Sequence, residues 1–315
     1  MITSEICDLL GIRYPIFQGA MAWIADASLA GAVSNAGGLG IIAGGSAPAS
    51  VIAEQIRLVR TLTDQPFGVN IMLKSPDAAD LAELVTQERV PVVTTGAGNP
   101  AVYMKKWLEA GITVIPVVPS SAIAKMVQRL GAHAVVAEGG ESGGHVGDLT
   151  TMALVPQVRD AVTIPVLAAG GIGDGRGMAA ALMLGACGVQ MGTRFLVAKE
   201  CTVHQTYKDK ILAAKDIDTM STGKRLGHPV RALKTPFTRM FFEKEYDSTV
   251  SNEQLEQLGE GALRLAAKEG DEERGSFMAG QIAGLVHEEQ TAAEIIHDVI
   301  TEAEALLKGA PSWVA

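Results

Sequence analysis

Cysteine is scarce in this chain: three residues, Cys7, Cys187 and Cys201, with no C-x-x-C or other metal-ligand spacing. Their odd number and wide separation argue against a disulfide framework and for a reducing compartment. Aromatics make up only 4%, against 35 glycines, a mix that suits short strands and tight loops better than a coiled coil. Positive charge is short as well. The net charge of −9 makes nucleic acid an improbable partner, because neutralising phosphates needs a basic surface. Long apolar runs are missing too. The longest uncharged stretch, 27–53, is broken by Ser, Asn, Pro and several Gly, too interrupted to span a membrane. "MITSEICDLLGIRYP" lacks the basic start and apolar core of a signal peptide, so a soluble cytoplasmic protein is expected. No His/Asp/Glu cluster has convincing metal spacing, so no catalytic metal is expected.

What is present is a repeating apolar unit. The chain has 315 residues, 48% hydrophobic and 19% charged, enough for one large or two ordinary folded domains. "PIFQGA" (15–20), "LGIIAG" (39–44), "FGVNIML" (67–73), "PVVTTGAG" (91–98), "TVIPVV" (113–118), "AVVAEG" (134–139), "PVLAAGG" (165–171) and "GVQMGTRF" (188–195) recur at near-regular intervals. Continuous apolarity without alternation marks strands buried on both faces. Helix-length segments lie between them at 49–63, 77–88, 100–110, 120–130, 150–161 and 176–185. Eight such units in under 200 residues predict an α/β fold, a (β/α)8 TIM barrel; a doubly wound open sheet is the rival. The pattern stops near Ala198. Residues 199–274 read as an inserted, mostly helical substrate or lid domain, with 1–198 and 275–315 forming the barrel. "TAAEIIHDVITEAEALLKG" (291–309) has helical spacing and returns to the barrel wall.

In such barrels the site lies at the C-terminal ends of the strands. Those ends carry Gly and neutral polar groups: Gln18, Gly19, Met21, Ala22, Asn70, Thr95, Glu138, His145, Gly170, Gly171, Gln190, Gly192 and Thr193. The loops after the seventh and eighth strands, "AAGGIGDGRG" (168–177) and "QMGTR" (190–194), suit a phosphate, since glycine lets main-chain N–H groups approach the anion. Tight turning alone is the bland reading. "GLGIIA" (38–43) fits a dinucleotide pattern but runs into a strand instead of from strand to helix, and fails that context test.

"PIFQGAMAW", "AVSNAGGLGII", "PFGVNIML", "VVTTGAGNP", "AEGGESGGHVG", "PVLAAGGIGDGRG", "GVQMGTRF" and "GSFMAGQIAGLV" occur in order along nearly the whole chain. Together they resemble the nitronate monooxygenase (2-nitropropane dioxygenase) flavoprotein superfamily, and within it the FMN-dependent enoyl-[acyl-carrier-protein] reductase II branch. The resemblance implies bound FMN, NADH or NADPH as hydride donor, an acyl carrier protein delivering the enoyl substrate, and a homodimer. It assigns the phosphate to Gly170, Gly171, Gly192 and Thr193, and the flavin ring to Gly19, Met21, Ala22 and Asn70, with Glu138 and Gln190 nearby. Ser142 and Met191 join the same cofactor set, and Met278, Gly280 and Gln281 close the site beyond the insert.

In "EGGESGGHVG" (138–147) one imidazole is held among five glycines. The resemblance places that loop above the flavin and makes His145 the catalytic group. It would polarise the thioester or protonate the α-carbon, as an imidazole can near neutral pH. A hydrogen bond within its own loop is the bland reading. As a nitronate monooxygenase the chain would use His145 as a base on a nitroalkane, with O2 reoxidising the flavin; a non-catalytic phosphate-ligand barrel is a third possibility. His133 reads as facing the bottom of the barrel, and His204, His287 and His297 as solvated or structural. His228, in "GHPVRALK", has some chance of meeting substrate. Residues 194–240 carry a local +6, leaving −15 for the remainder. Lys199, Lys208, Lys210, Arg225, Arg231 and Lys234 would either steer an acidic carrier protein or form an ordinary solvated face.

Overall fold

The computed structural model describes residues 2–45 and 47–313. Eight parallel strands, β1 (Ile16–Gln18), β2 (Gly40–Ala43), β3 (Phe67–Met72), β4 (Val92–Gly96), β5 (Thr113–Val118), β6 (Val135–Glu138), β8 (Val166–Ala169) and β9 (Gly188–Met191), form one sheet in the order β1-β9-β8-β6-β5-β4-β3-β2. A bridge between Phe17 and Leu39 joins its two edges, so the sheet closes into the (β/α)8 barrel. The open-sheet alternative is excluded.

Why the strands read as unbroken apolar runs is plain from their two faces. Phe17, Ile41, Val92, Ile115, Val136 and Leu167 fill the barrel interior. Their immediate neighbours Ile16, Ile42, Val93, Val114, Val135 and Val166 pack outward under the helices. Helix α1 (Glu5–Leu10), capped by Ser4, adds Ile6 and Leu10 to the inner cluster. The outer ring consists of α2 (Ala27–Asn35), α3 (Ala49–Leu62), α4 (Ala78–Gln87), α5 (Ala101–Glu109), α6 (Ser121–Arg129), α7 (Thr151–Ala161), α8 (Gly175–Met183) and the C-terminal α14 (Ala292–Gly309). α14 opens on a capping box between Thr291 and Glu294 and lies between α8 and α2, completing the ring. "GLGIIA" is indeed a strand. A Cβ on Gly40 would sit 1.9 Å from the Ala30 carbonyl oxygen, so this glycine lets α2 rest on β2.

The seam between β1 and β2 has a special device. The two strands share a single bridge, and the Gln18 side chain fills the gap. Its Oε1 accepts from the Ile41 N–H at 3.1 Å, and its Nε2 donates to the Ile41 carbonyl at 3.2 Å and to the Gly19 carbonyl at 2.6 Å. Gln18 is fully buried. A side-chain amide here does the work of a strand's backbone.

After α9 (Thr193–Leu196), residues 199–274 form α10 (Gln205–Leu212), α11 (Pro236–Glu245), α12 (Asn252–Gly259), α13 (Ala262–Arg264) and a π turn at Leu265–Glu269. They also form a hairpin, β10 (Thr219–Thr222) and β11 (Val230–Leu233), for which the sequence showed no strand signal. Its residues are short and largely polar, and pairing with β7 (Gly144–His145) stabilises them. Tyr207, Ile211, Leu233, Ala266 and Phe277 merge with the barrel's outer core, whereas Phe237, Phe241, Leu255 and Ala262 form a small cluster of their own.

The basic cluster expected in this segment needs correction. Lys208 is 4% exposed, its ammonium donating to the Ala198 carbonyl and pairing with Glu289. Lys210 pairs with Glu272 at 2.7 Å, and Arg231 donates to the Gly140 carbonyl. Arg225 spreads over Asn252 and the carbonyls of Glu245, Asp247 and Val250. These four cations are engaged within the fold, so the formal +6 overstates the free charge of this surface. Lys199, 3.9 Å from Glu294, and Lys234 are exposed, as are Lys215, Lys224, Arg225 and Arg239.

Candidate functional site at the barrel mouth

Strand register lines up the site. Glu138 lies opposite Ala169, Ala169 opposite Gln190, and Met191 opposite Gln18, so the C-terminal ends of β6, β8, β9 and β1 form one row. Side-chain alternation then sorts the row. Val189 and Met191 pack outward and Gln190 inward; Val135 and Ala137 pack outward and Glu138 inward; Val69 and Ile71 pack outward and Asn70 inward. Gln190, Glu138, Asn70 and Thr94 therefore cap the apolar barrel interior with a polar layer, in which Asn70 Nδ2 donates to Thr94 Oγ1 at 2.9 Å. Met191 does not belong to that layer. Its side chain is 1% exposed in the outer core, and what it contributes at the mouth is a carbonyl accepting from the Gly19 N–H. Parity along the strand would have shown this from the sequence.

Gly19, Met21 and Ala22 follow β1. A Cβ on Gly19 would stand 3.2 Å from the Gln190 side chain, and one on Gly192 would stand 3.7 Å from Met21 Sδ. The two glycine loops come next. Gly170 (φ 87°) and Gly171 (φ 71°) are left-handed, and a Cβ on Gly170 would meet the Gly139 carbonyl oxygen at 2.6 Å. Thr193 Oγ1 accepts from the Gly280 N–H at 2.9 Å, which leaves its own proton to donate.

The 276–281 segment crosses the mouth and is tied at each step. The Leu233 N–H donates to Phe277, buried Tyr207 donates to the Met278 carbonyl at 2.7 Å, and the Gln281 N–H donates to Glu141. A Cβ on Gly143 would meet Ala279 C at 2.7 Å and Gly280 N at 2.8 Å. Met278 Sδ lies 3.7 Å from a Cβ built on Gly144, whereas the Gln281 side chain is exposed.

Sequence reasoning missed the hub of this arrangement, Glu141. Its carboxylate accepts from the Thr151 N–H at 3.0 and 2.9 Å and from the Thr151 hydroxyl at 2.9 Å. It thus caps α7, whose own N-cap Thr150 makes no side-chain hydrogen bond. Thr151 Oγ1 also lies 2.8 Å from the Gly170 carbonyl, linking the cap to the glycine loop after β8. An acid ten residues ahead of a helix start carries no local signal.

His145 follows on β7, opposite Val230 of the hairpin. Partial removal from water, then the positive potential of His228 and Lys74, hold its pKa below the ordinary histidine value. Glu138 behaves in the opposite way. Burial pushes its carboxyl from 4.5 up to about 7, and the neighbouring Ser142 hydroxyl partly offsets the rise. That hydroxyl is buried and has no hydrogen-bond partner of ordinary geometry among the described residues. Between roughly pH 4.5 and 7 the unfolded chain loses this proton and the folded chain keeps it. Stability contributed here therefore falls as pH rises through that window and levels off above it. In urea unfolding of the flavin-free chain, Glu138→Gln should remove about 1–3 kcal/mol of stability loss between the two ends of that window. Parallel curves for the two chains would refute the assignment.

A phosphorylated, ring-bearing ligand fits this constellation. The glycine cradle admits close main-chain approach, the buried Ser142 hydroxyl beside Glu138 has room for a further hydrogen bond, and the capping layer is polar, with no grouped metal ligands among the described residues. Gly170→Ala forces alanine into a left-handed backbone and against a carbonyl. FMN affinity should fall about tenfold or more, read by quenching of flavin fluorescence.

A model of the nitronate monooxygenase family matches residues 3–87 and 81–302. The (3aS,4S,5R,7aS)-5-hydroxy-7a-methyl-1-oxo-octahydro-1H-indene-4-carboxyl-CoA dehydrogenase of Mycobacterium tuberculosis is 33% identical over 352 residues, covering 99% of each chain. A probable nitronate monooxygenase of Staphylococcus saprophyticus is 32% identical over 354 residues, covering 97% of this chain and 99% of that one. Among solved structures, FabK from Thermotoga maritima superposes with a TM-score of 0.97 at 50% identity, over 100% of both chains. A nitroalkane oxidase from Streptomyces ansochromogenes reaches 0.87 at 28% identity, over 98% of this chain and 100% of that one. A barrel mouth rimmed by two glycine loops and a family match across nearly the whole chain lead to one conclusion: the chain belongs to the nitronate monooxygenase family of FMN-dependent oxidoreductases.

Proposed function

We propose that the chain reduces trans-2-enoyl thioesters carried on acyl carrier protein, with NADH or NADPH as the reductant. The observation that carries this reading is the placement of His145. It stands on a two-residue strand pinned to the hairpin of residues 219–233, in a chain that follows FabK from end to end at 50% identity. FMN held here would supply hydride chemistry between the nicotinamide and the β-carbon of the enoyl group, with solvent supplying the proton that completes the α-carbon. The chain's own groups do the rest. Gly170, Gly171, Gly192 and Thr193 hold the phosphate, and Asn70, Glu138 and Gln190 line the floor. His145 donates a hydrogen bond to the thioester oxygen as negative charge develops there. An imidazole with a lowered pKa suits this neutral donor role.

Anaerobic stopped-flow tests the reading. NADH or NADPH should bleach the yellow protein within the turnover time, and crotonyl thioester should then restore the colour. If the bleached protein ignores the thioester, while a nitronate bleaches the oxidised protein and O2 then restores its colour, the second reading stands. In that reading, which the names of the family model and the Staphylococcus relative favour, His145 is a base on the nitroalkane. Delivery by acyl carrier protein predicts slower turnover when Lys199 and Lys234, exposed in this segment, are changed to Glu.

A further inference from the structure

His145 has a second imidazole for a neighbour. Because Val230 pairs with His145, the turn before β11 brings His228 to the mouth, with ring centroids 6.2 Å apart and planes tilted by 54°. On its far side His228 Nε2 lies 2.8 Å from Glu256 Oε1, contributed by α12. No hydrogen bond joins the two rings among the described residues. The turn itself is fixed from below. Buried Glu245 accepts from the Gly223 N–H at 2.9 Å and the Arg225 N–H at 2.8 Å.

We propose that His228, oriented by Glu256, is a positioning residue that takes the first proton of the histidine pair and so keeps His145 a neutral hydrogen-bond donor. Two imidazolium charges this close disfavour one another, so the pair loads its protons in two steps. The carboxylate decides the order, because Glu256 faces His228 and, among the described residues, no carboxylate is paired with His145. Lys74, from the loop after β3, adds positive potential at His145 and pushes the same way. Arg231 on β11 turns its guanidinium to the Gly140 carbonyl and Thr219. Arg225 is engaged by Asn252 and main-chain carbonyls, Lys224 in the turn is exposed, and Glu253 shares α12 with Glu256.

The consequence for turnover rests on the enoyl reductase reading; the coupling of the two rings does not. The test is an NMR titration of histidine side-chain nitrogens in FMN-loaded wild type, H228N and E256Q, alongside the pH profile of enoyl thioester turnover. H228N should shift the His145 titration upward, and E256Q, which removes the carboxylate behind His228, should shift it the same way. In H228N the pH limb of turnover assigned to His145 should move with its titration, a displacement that mere loss of a packing contact would not produce. A His145 titration identical in wild type and H228N, with FMN still bound, overturns the proposal. Should H228N not fold, an unmoved His145 titration in E256Q overturns it equally. Titrations that move as expected in a protein inert toward enoyl thioester leave the coupling standing and remove the proposed function.

Discussion

His145→Ala is expected to lower enoyl thioester turnover by about 10²–10⁴-fold while the purified protein stays yellow. The large effect follows from what the imidazole alone supplies. Charge appears on the thioester oxygen only as the hydride arrives, so a donor placed there acts on the transition state and not on the bound substrate. The loss should therefore fall on kcat more than on KM. FMN retention should hold because the cradle is built from other parts: the left-handed Gly170 and Gly171, the Thr193 hydroxyl tied to Gly280, and the Glu141–Thr151 cap. The backbone of β7 should also persist, since its pairing with Val230 and Arg231 uses main-chain atoms. Bleaching of the flavin by NADH or NADPH should thus remain near wild type. Steady-state enoyl reduction equal to wild type would remove His145 from the chemistry.

Gln18→Leu should cost about 2–5 kcal/mol of stability, although leucine nearly matches glutamine in volume. The reason lies in the barrel seam. The Ile41 N–H and carbonyl have the Gln18 amide where a neighbouring strand would otherwise stand. An apolar side chain leaves both buried groups without partners, and each orphan carries the full penalty of lost hydration. The expected signature is local as well as global: a lower urea midpoint, and amide exchange at Ile41 that speeds up more than at Val93 on the far wall. Unchanged protection at Ile41 would show that β1 can slide over and close the seam by itself.

The barrel was legible because its strands are buried twice over. A run such as "AVVAEG" needs no alternation when Val135 packs under helices and Val136 fills the interior. Helix starts were legible where local chemistry announces them, as in the Thr291–Glu294 capping box. Helix α2 announced itself poorly, because "ASLAGAVSN" is made of small residues whose packing against Gly40 gives them their place. The hairpin β10–β11 went unread for a related reason. Strands of four residues with polar faces have no pattern of their own and exist through pairing with each other and with β7.

Charge was the least legible property. A count along the chain gives +6 for residues 194–240, yet Lys208, Lys210, Arg225 and Arg231 are occupied by partners from as near as ten residues and as far as ninety-one. What the sequence determined by itself was whatever depends on neighbours: apolar period, caps, and glycines where the main chain must bend or approach a ligand. The tertiary structure alone decided which distant groups meet. It set His228 beside His145 with Glu256 behind it, Glu141 on the first turn of α7, and Gln18 across the seam. Hydrogen bonds and charge coupling act over a few ångströms of space, whatever the separation along the chain.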